Sequence, residues 1–302
     1  MAAMAWQTTG DVIEFLTAAG PYLRRERARN TVILSVTESM RVSAEASAGD
    51  SSAAAARPGS ASASARPLFG WWCDPAGPVA GAFMHTPPFP VVLTAVDLAA
   101  AAELAAVAMA ARPVGGVNAY PEVAAAFADG WRHGHAGGRV DVYRRQRLYR
   151  LADLVWPDPV PAGKARLAGD ADAALTAGWF AAFADEVDDM GKGEDQSAAA
   201  RDRISHGGVT VWEADGRPVC IACNTLTVAG QVRIGPVYTP PEQRGHGYAS
   251  AATAAASQRL LDAGAQEVLL YTDLANPVSN SIYQRIGYRP VEDRVVLAFS
   301  AG

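Results

Sequence analysis

Cysteine is scarce, with three in 302 residues. So few thiols exclude a disulfide framework, and Cys220 and Cys223 lack the second pair that a zinc ribbon needs. This CxxC lies in "RPVCIACNTLTV", which reads as a strand, and residues three apart on a strand face opposite sides. Buried packing is their expected role. Charge is also sparse: 19% of residues, with a formal net charge of −5 and a pI near 5.6. That balance weighs against a general nucleic-acid binder. No long apolar run is present. The alanine-rich stretches near Ala99 and Ala251 adjoin polar residues and suit amphipathic helices rather than bilayer spans. The opening "MAAMAWQTTGDVIEFL" shows no basic region followed by an apolar one, so a cytoplasmic protein is expected. His133 and His135, in "WRHGHAGG", have no acidic or cysteine partner nearby and read as loop residues, so no metal is expected.

What is abundant is alanine and serine. From Ser43 to Pro67 the chain runs "SAEASAGDSSAAAARPGSASASARP", with no apolar period to offset its ordering entropy, and reads as a disordered insertion. "WPDPVPAGKARLAGDAD" is proline-rich and reads as a linker at 156–163. The expected division is therefore 1–155, with 43–67 inserted, and 164–302.

The two halves share an order of elements. In the second, "KARLA" is a strand and Asp170 or Asp172 caps a helix through Phe183. A helix near Gln196–Ser205 follows, then three strands joined by turns at Asp215-Gly216 and Ala229-Gly230. A helix from about Tyr248 to Ala263, the strand "QEVLLYTD", a short helix from Pro277 to Ile286 and the strand "RVVLAFS" complete it. The first half gives a helix at Asp11–Ala19, a helical stretch near Arg24–Asn30 and a strand at Thr31–Val36. Three strands in "PLFGWWCDPAGPVAGAFMHTPPFPVVLT" come next. A helix at Leu98–Ala111, a strand at Val114–Val117, a helix at Pro121–Trp131 and a strand at Val142–Leu151 end it. This is a duplicated α/β unit with a mixed sheet. The copies differ at one place. "VVLT" passes to its helix through "AVDL" with no glycine, whereas the second copy has "YTPPEQRGHGYAS".

Glycine is a poor residue for a helix start unless something must approach the backbone there. A helix N-terminus holds unpaired N–H groups and partial positive charge, so an anion is the natural guest. Arg244-Gly245-His246-Gly247-Tyr248-Ala249 matches R-x-x-G-x-A, not a Rossmann or Walker loop. Further on, "YTDLANPVSNSIYQRIGYRPV" places Asn276, Ser279 and Tyr283 in N-x-x-(small)-x-x-x-Y spacing, followed by Ile286-Gly287-Tyr288. With both motifs at the proper separation, Lys164 to Ser300 resembles the GNAT superfamily of N-acetyltransferases. The whole chain is similar to a two-domain actinobacterial branch whose first copy is degenerate.

The resemblance implies a tandem GNAT acyl-CoA N-acyltransferase fold and a job for each matching residue. Val237, Tyr238 and Thr239 would pair with the pantetheine amides as an added strand. Backbone N–H groups from Arg244, Gly245, His246, Gly247, Tyr248, Ala249 and Ser250 would hold the CoA pyrophosphate, with side-chain help from Arg244 and His246. Asn276 and Ser279 would lie along the pantetheine arm, Asn276 otherwise being a plain helix cap. Tyr283 would protonate the departing thiolate. The base is not legible; Asp273 is the first candidate, beside Glu213 and Glu242. "ADEVDDMGKGED", Ala184–Asp195, carries six acids at the connection that borders the acceptor site in such folds, where a cationic amine would be drawn. The implied activity is acetyl transfer from acetyl-CoA to a small-molecule amine, by a monomer or homodimer. Two alternatives stand beside it: a longer acyl-CoA or an aminoacyl-tRNA as donor, the latter favoured only by "YRRQRLYRL", or a CoA-sensing module without catalysis.

Overall fold

The structure is a computed structural model, and it describes residues 4–49, 66–74, 77–187, 193–300 and 302. Two compact units divide the chain: Met1–Gln146 with Asp293–Gly302, and Arg147–Glu292.

The first unit runs β1 (Ala5–Thr9), α1 (Val12–Arg25), α2 (Thr31–Gly49), β2 (Leu68–Cys73), β3 (Val79–His85), β4 (Val91–Leu93), α3 (Leu98–Ala111), β5 (Gly116–Ala119) and α4 (Pro121–Gly134). β1 to β4 are successive antiparallel neighbours, and β4 pairs in parallel with β5. Alanine makes α3 both helical and thin: Ala100, Ala101, Ala105 and Ala108 are buried beside Leu104. α4 packs so closely against it that a Cβ on Gly130 would collide with the Ala102 carbonyl. Trp6, Phe83, Phe127 and Trp131 fill the core around these elements, each burying enough apolar surface to contribute about 2–3 kcal/mol.

Three readings of this half change. Thr31–Val36 is the start of α2, not a strand. Its β-branched residues suit a sheet, but Thr31, Ile33, Leu34, Ser35 and Thr37 are buried, and Arg41 bridges Glu38 and Glu45 at helical spacing. Residues 43–49 of the expected insertion continue that helix, while 50–65 lie outside the described residues. β1, whose Trp6 indole donates to the Ala100 carbonyl (2.9 Å), is a strand too short and too polar to stand out in the sequence.

The second unit repeats that order: β7 (Lys164–Leu167), α5 (Ala173–Glu186), α6 (Ser197–Ser205), β8 (Val209–Ala214), β9 (Arg217–Asn224), β10 (Gln231–Tyr238), α7 (Tyr248–Asp262), β11 (Glu267–Asp273) and α8 (Pro277–Arg285). β7 to β10 are antiparallel neighbours and β10 pairs in parallel with β11. One core lies under α7 and another under α5 and α6. β9 separates them, with Cys220 in the first and Cys223 in the second. Burial pushes both thiols up to about 12, so they are packing residues. A short 3-10 turn at Asp170–Asp172 precedes α5, and Asp172 pairs with Arg166 (2.8 Å) instead of capping the helix.

The units divide at 146/147 and 292/293, not at the expected 156–163 segment. That segment belongs to the second unit, where the Trp212 indole donates to the Ala162 carbonyl at 3.1 Å. Each copy's last strand starts in its own unit and ends in the other. β6 (Arg139–Leu151) finishes beside β11 in the second unit, and β12 (Tyr288–Ser300) finishes in the first, where Val295–Ala298 pairs antiparallel with Ala119–Gly116. Arg294 anchors that exchange. Its buried guanidinium donates to Asn118 Oδ1 (3.0 Å), Asn118 O (2.8 Å) and Leu93 O (2.8 Å), bridging β4 and β5. Arg294→Met would strip these acceptors of a partner, at about 1–3 kcal/mol for each one left orphaned. A fall of several degrees in the thermal midpoint, read by circular dichroism, is expected. An unchanged midpoint would show that the guanidinium contributes nothing to the exchange.

Candidate active site

β10 and β11 part company halfway. The parallel register runs from Gln231↔Glu267 to Ile234↔Leu270 and stops there. At that point β10 bulges: its register against β9 shifts between Ile234 and Val237, and Gly235 takes φ +146°. The strand then continues through Val237 and Tyr238, paired to Ala222 and Ile221 on the β9 side. Its other edge carries no strand pairing beyond Ile234 among the described residues. Such an opening admits an extended amide-bearing chain as a surrogate strand. Tyr238 is buried, its ring near Trp179 and its hydroxyl donating to Glu186 at 3.4 Å. The Thr239 hydroxyl donates to the Cys220 sulfur at 3.2 Å.

β10 leads through a short turn, Pro241–Gln243, into the glycine loop. Gly245 and Gly247 take φ +82° and +80°, a region open to glycine and costly for residues with a Cβ. Those angles turn the backbone so that α7 begins at Tyr248 with no side-chain cap. Arg244 N–H is taken by Pro241 O (3.3 Å). No described acceptor takes the N–H groups of Gly245, His246, Gly247, Tyr248, Ala249 or Ser250. These are the orphan donors of a helix start, gathered at one spot. The Arg244 side chain, expected at the pyrophosphate, has protein partners in this structure. Its guanidinium holds Glu186 (2.6 and 2.7 Å) and Thr239 O (2.9 Å), because Glu186 at the end of α5 faces the loop. His246 stacks on Tyr248, with ring centroids 5.4 Å apart.

The first unit differs at both places. Asp97 caps α3, its carboxylate accepting Ala99 N–H at 2.9 Å, so that helix start already holds an anion. Arg294 occupies the gap where β4 and β5 diverge.

α8 carries the remaining residues. Asn276 Oδ1 accepts Ser279 N–H at 3.0 Å, so its side chain is the helix cap. Asp273 closes β11 with its carboxylate on Ala275 N–H (2.8 Å). Tyr283 is half-buried and meets Tyr288 edge-on at 6.1 Å. No described group hydrogen-bonds its hydroxyl. Burial, with the neighbouring Cys220, pushes its pKa up, so the phenol keeps its proton at neutral pH. Three residues not foreseen hold α8 in place. Asn280 donates to the Asp273 and Asn276 carbonyls and accepts from the Tyr149 hydroxyl (2.9 Å), to which Gln284 also donates (3.0 Å). Tyr149 comes from β6, the strand begun in the other unit. Glu213 is committed to Arg166 at 2.6 Å, which removes it as a free base. Glu242 lies exposed on the turn before the loop. Among the described residues no group of three or more His, Cys, Asp or Glu could hold a metal ion, and no helix is long and apolar enough to cross a membrane.

This geometry agrees with the comparisons. The profile of the acetyltransferase (GNAT) family matches residues 173–288. No curated protein matches the sequence. Among solved structures, a Drosophila protein aligns over 99% of both chains with TM-score 0.63 at 13% identity. A GCN5-related N-acetyltransferase from Sphaerobacter thermophilus aligns over 99% of this chain and 96% of its own, with TM-score 0.56 and 16% identity. A tandem GNAT protein from the clavulanic acid biosynthesis pathway aligns over 99% and 98%, with TM-score 0.52 and 16% identity. The family match thus lies within the second unit, at residues 173–288, and the solved structures share the fold over nearly the whole chain.

Proposed function

We propose that this protein transfers an acetyl group from acetyl-CoA to the amine of a small molecule, by direct attack and without a covalent enzyme intermediate. The observation that supports this most is the continuity of three features. The free edge of β10 beyond Ile234, the uncommitted N–H groups of Gly245–Ser250 and the unpartnered Tyr283 hydroxyl all belong to one unit. Val237, Tyr238 and Thr239 would pair with the amides of the pantetheine arm, and the loop would cradle the pyrophosphate. Acetyl-CoA supplies the thioester. The amine nitrogen bonds to its carbonyl carbon, the C–S bond breaks, and Tyr283 gives its proton to the departing sulfur. The proton lost by the amine goes to a base, for which Asp273 at the end of β11 is the candidate. Tyr283 then recovers a proton from solvent. Asn276 and Ser279 would contact the arm with backbone groups, since the Asn276 side chain is spent on the cap.

The first unit would be a degenerate copy, closed to CoA by Asp97 and Arg294. Calorimetric titration with acetyl-CoA is therefore expected to give one site per chain, and titration with tRNA none. Two equivalent CoA sites would overturn the degenerate reading. Binding of tRNA in place of acetyl-CoA would transfer the activity to another acyl donor.

A further inference from the structure

Beneath α6 the second unit keeps cations that no described carboxylate answers. Val232 and Ile234 point into the core under α7, so Arg233 between them points to the opposite face, toward α5 and α6. One amino nitrogen of its guanidinium is fully covered and has no partner. Burial pulls this arginine down to about 10; the neighbouring Tyr271 opposes that shift and Arg203 adds to it. Arg203, on α6, reaches the same strand two residues on and donates to the Gly235 carbonyl at 3.3 Å. Its charge, after burial, also holds His206 below the usual histidine range. Among the described residues neither arginine forms an ion pair. A buried guanidinium with a second arginine nearby and no carboxylate partner is costly to keep, because a buried charge needs an opposite one. Such a cost is found where an anionic ligand is to be received.

The position says which ligand. Gly235 is the bulge at which β10 leaves β11, next to Val237, the first residue proposed above to pair with the pantetheine arm, so the thioester would end near the bulge. Residues two apart on a strand lie about 7 Å apart, so an oxyanion on Arg233 and an amine at the bulge fit within one small molecule. We propose that the acceptor is an amine that also carries a carboxylate, held by Arg233 together with Arg203. This rests on the acyl-transfer reading above and names its substrate class.

The test uses the full chain and three probes: an α-amino acid panel, the matching amino-acid amides and phosphoethanolamine. Each is assayed for acetylation and, separately, titrated by calorimetry into the CoA-loaded protein, which reads the anion site without turnover. The acids are expected to exceed their amides by about 10²-fold in both measurements. Arg233→Gln is expected to erase that difference while leaving the amides and CoA affinity unchanged, since losing one partner of a buried charge pair costs that much. The wild-type acid-to-amide comparison stands even if the variant fails to fold. Equal use of acids and amides would overturn the proposal, as would preference for phosphoethanolamine or equal losses on both probes in Arg233→Gln. Arg233-dependent binding of an acid with no acetyl transfer would keep the anion site and reject the acyl-transfer reading instead.

Discussion

Gly247→Asp is expected to weaken acetyl-CoA binding by at least about 10²-fold while leaving the protein folded. A Cβ at Gly247 would meet only Pro161, at 3.8 Å, an ordinary contact. The backbone at φ +80° costs about 1–2 kcal/mol for a residue with a Cβ, and aspartate tolerates it better than most. The new carboxylate would sit over the free N–H groups that open α7, where a negative side chain stabilises the helix. Stability should therefore change little. Binding should not survive, because the carboxylate takes the donors meant for the pyrophosphate and repels it; like charges brought together in this way cost several kcal/mol. The substitution would give the second unit what Asp97 already gives the first. Calorimetry on the variant decides the point, and unchanged CoA affinity would mean that the loop cradles nothing.

Tyr283→Phe should do the reverse. It removes one hydroxyl and leaves the ring against Tyr288. The ground state loses no contact with CoA, so affinity should hold. The departing thiolate loses its proton donor, and the turnover number should fall by about 10²-fold. Burial raises the Tyr283 pKa, so the wild-type acid stays protonated from neutral pH upward. Loss of activity through its ionisation belongs well above the ordinary tyrosine value of about 10. Full turnover by the variant across pH, with a true acceptor, would make Tyr283 a packing residue and leave the thiolate to solvent.

Some of this was legible because local chemistry wrote it. Glycines placed where a helix must begin have few uses, and Gly245 and Gly247 take left-handed angles that glycine alone enters at no cost. The asparagine-proline start of α8 likewise appears as a cap. Other features depend on what arrives from far along the chain. Thr31–Val36 looks like a strand until the buried face of α2 overrides its β-branched residues. Nothing local in β6 or β12 says that each finishes in the other unit. Hence Tyr149, which positions α8 through Asn280, and Arg294, which bridges β4 and β5, carried no signal in the sequence. The place of Arg244 in the motif does not say that Glu186, at the end of α5, holds its side chain. Arg203 and Arg233 are thirty residues apart in sequence and come to the same strand only in the fold, where Arg203 reaches the Gly235 carbonyl.

The central claim is acyl transfer from CoA to an amine in the second unit. The most direct measurement is free thiol released from acetyl-CoA by the purified chain across amine classes, with the mass of each amine followed in parallel. The account expects thiol release matched one for one by acetylated amine, with Gly247→Asp and Tyr283→Phe both strongly reduced. Tight acetyl-CoA binding with no thiol release from any amine would contradict it and leave a CoA-sensing module.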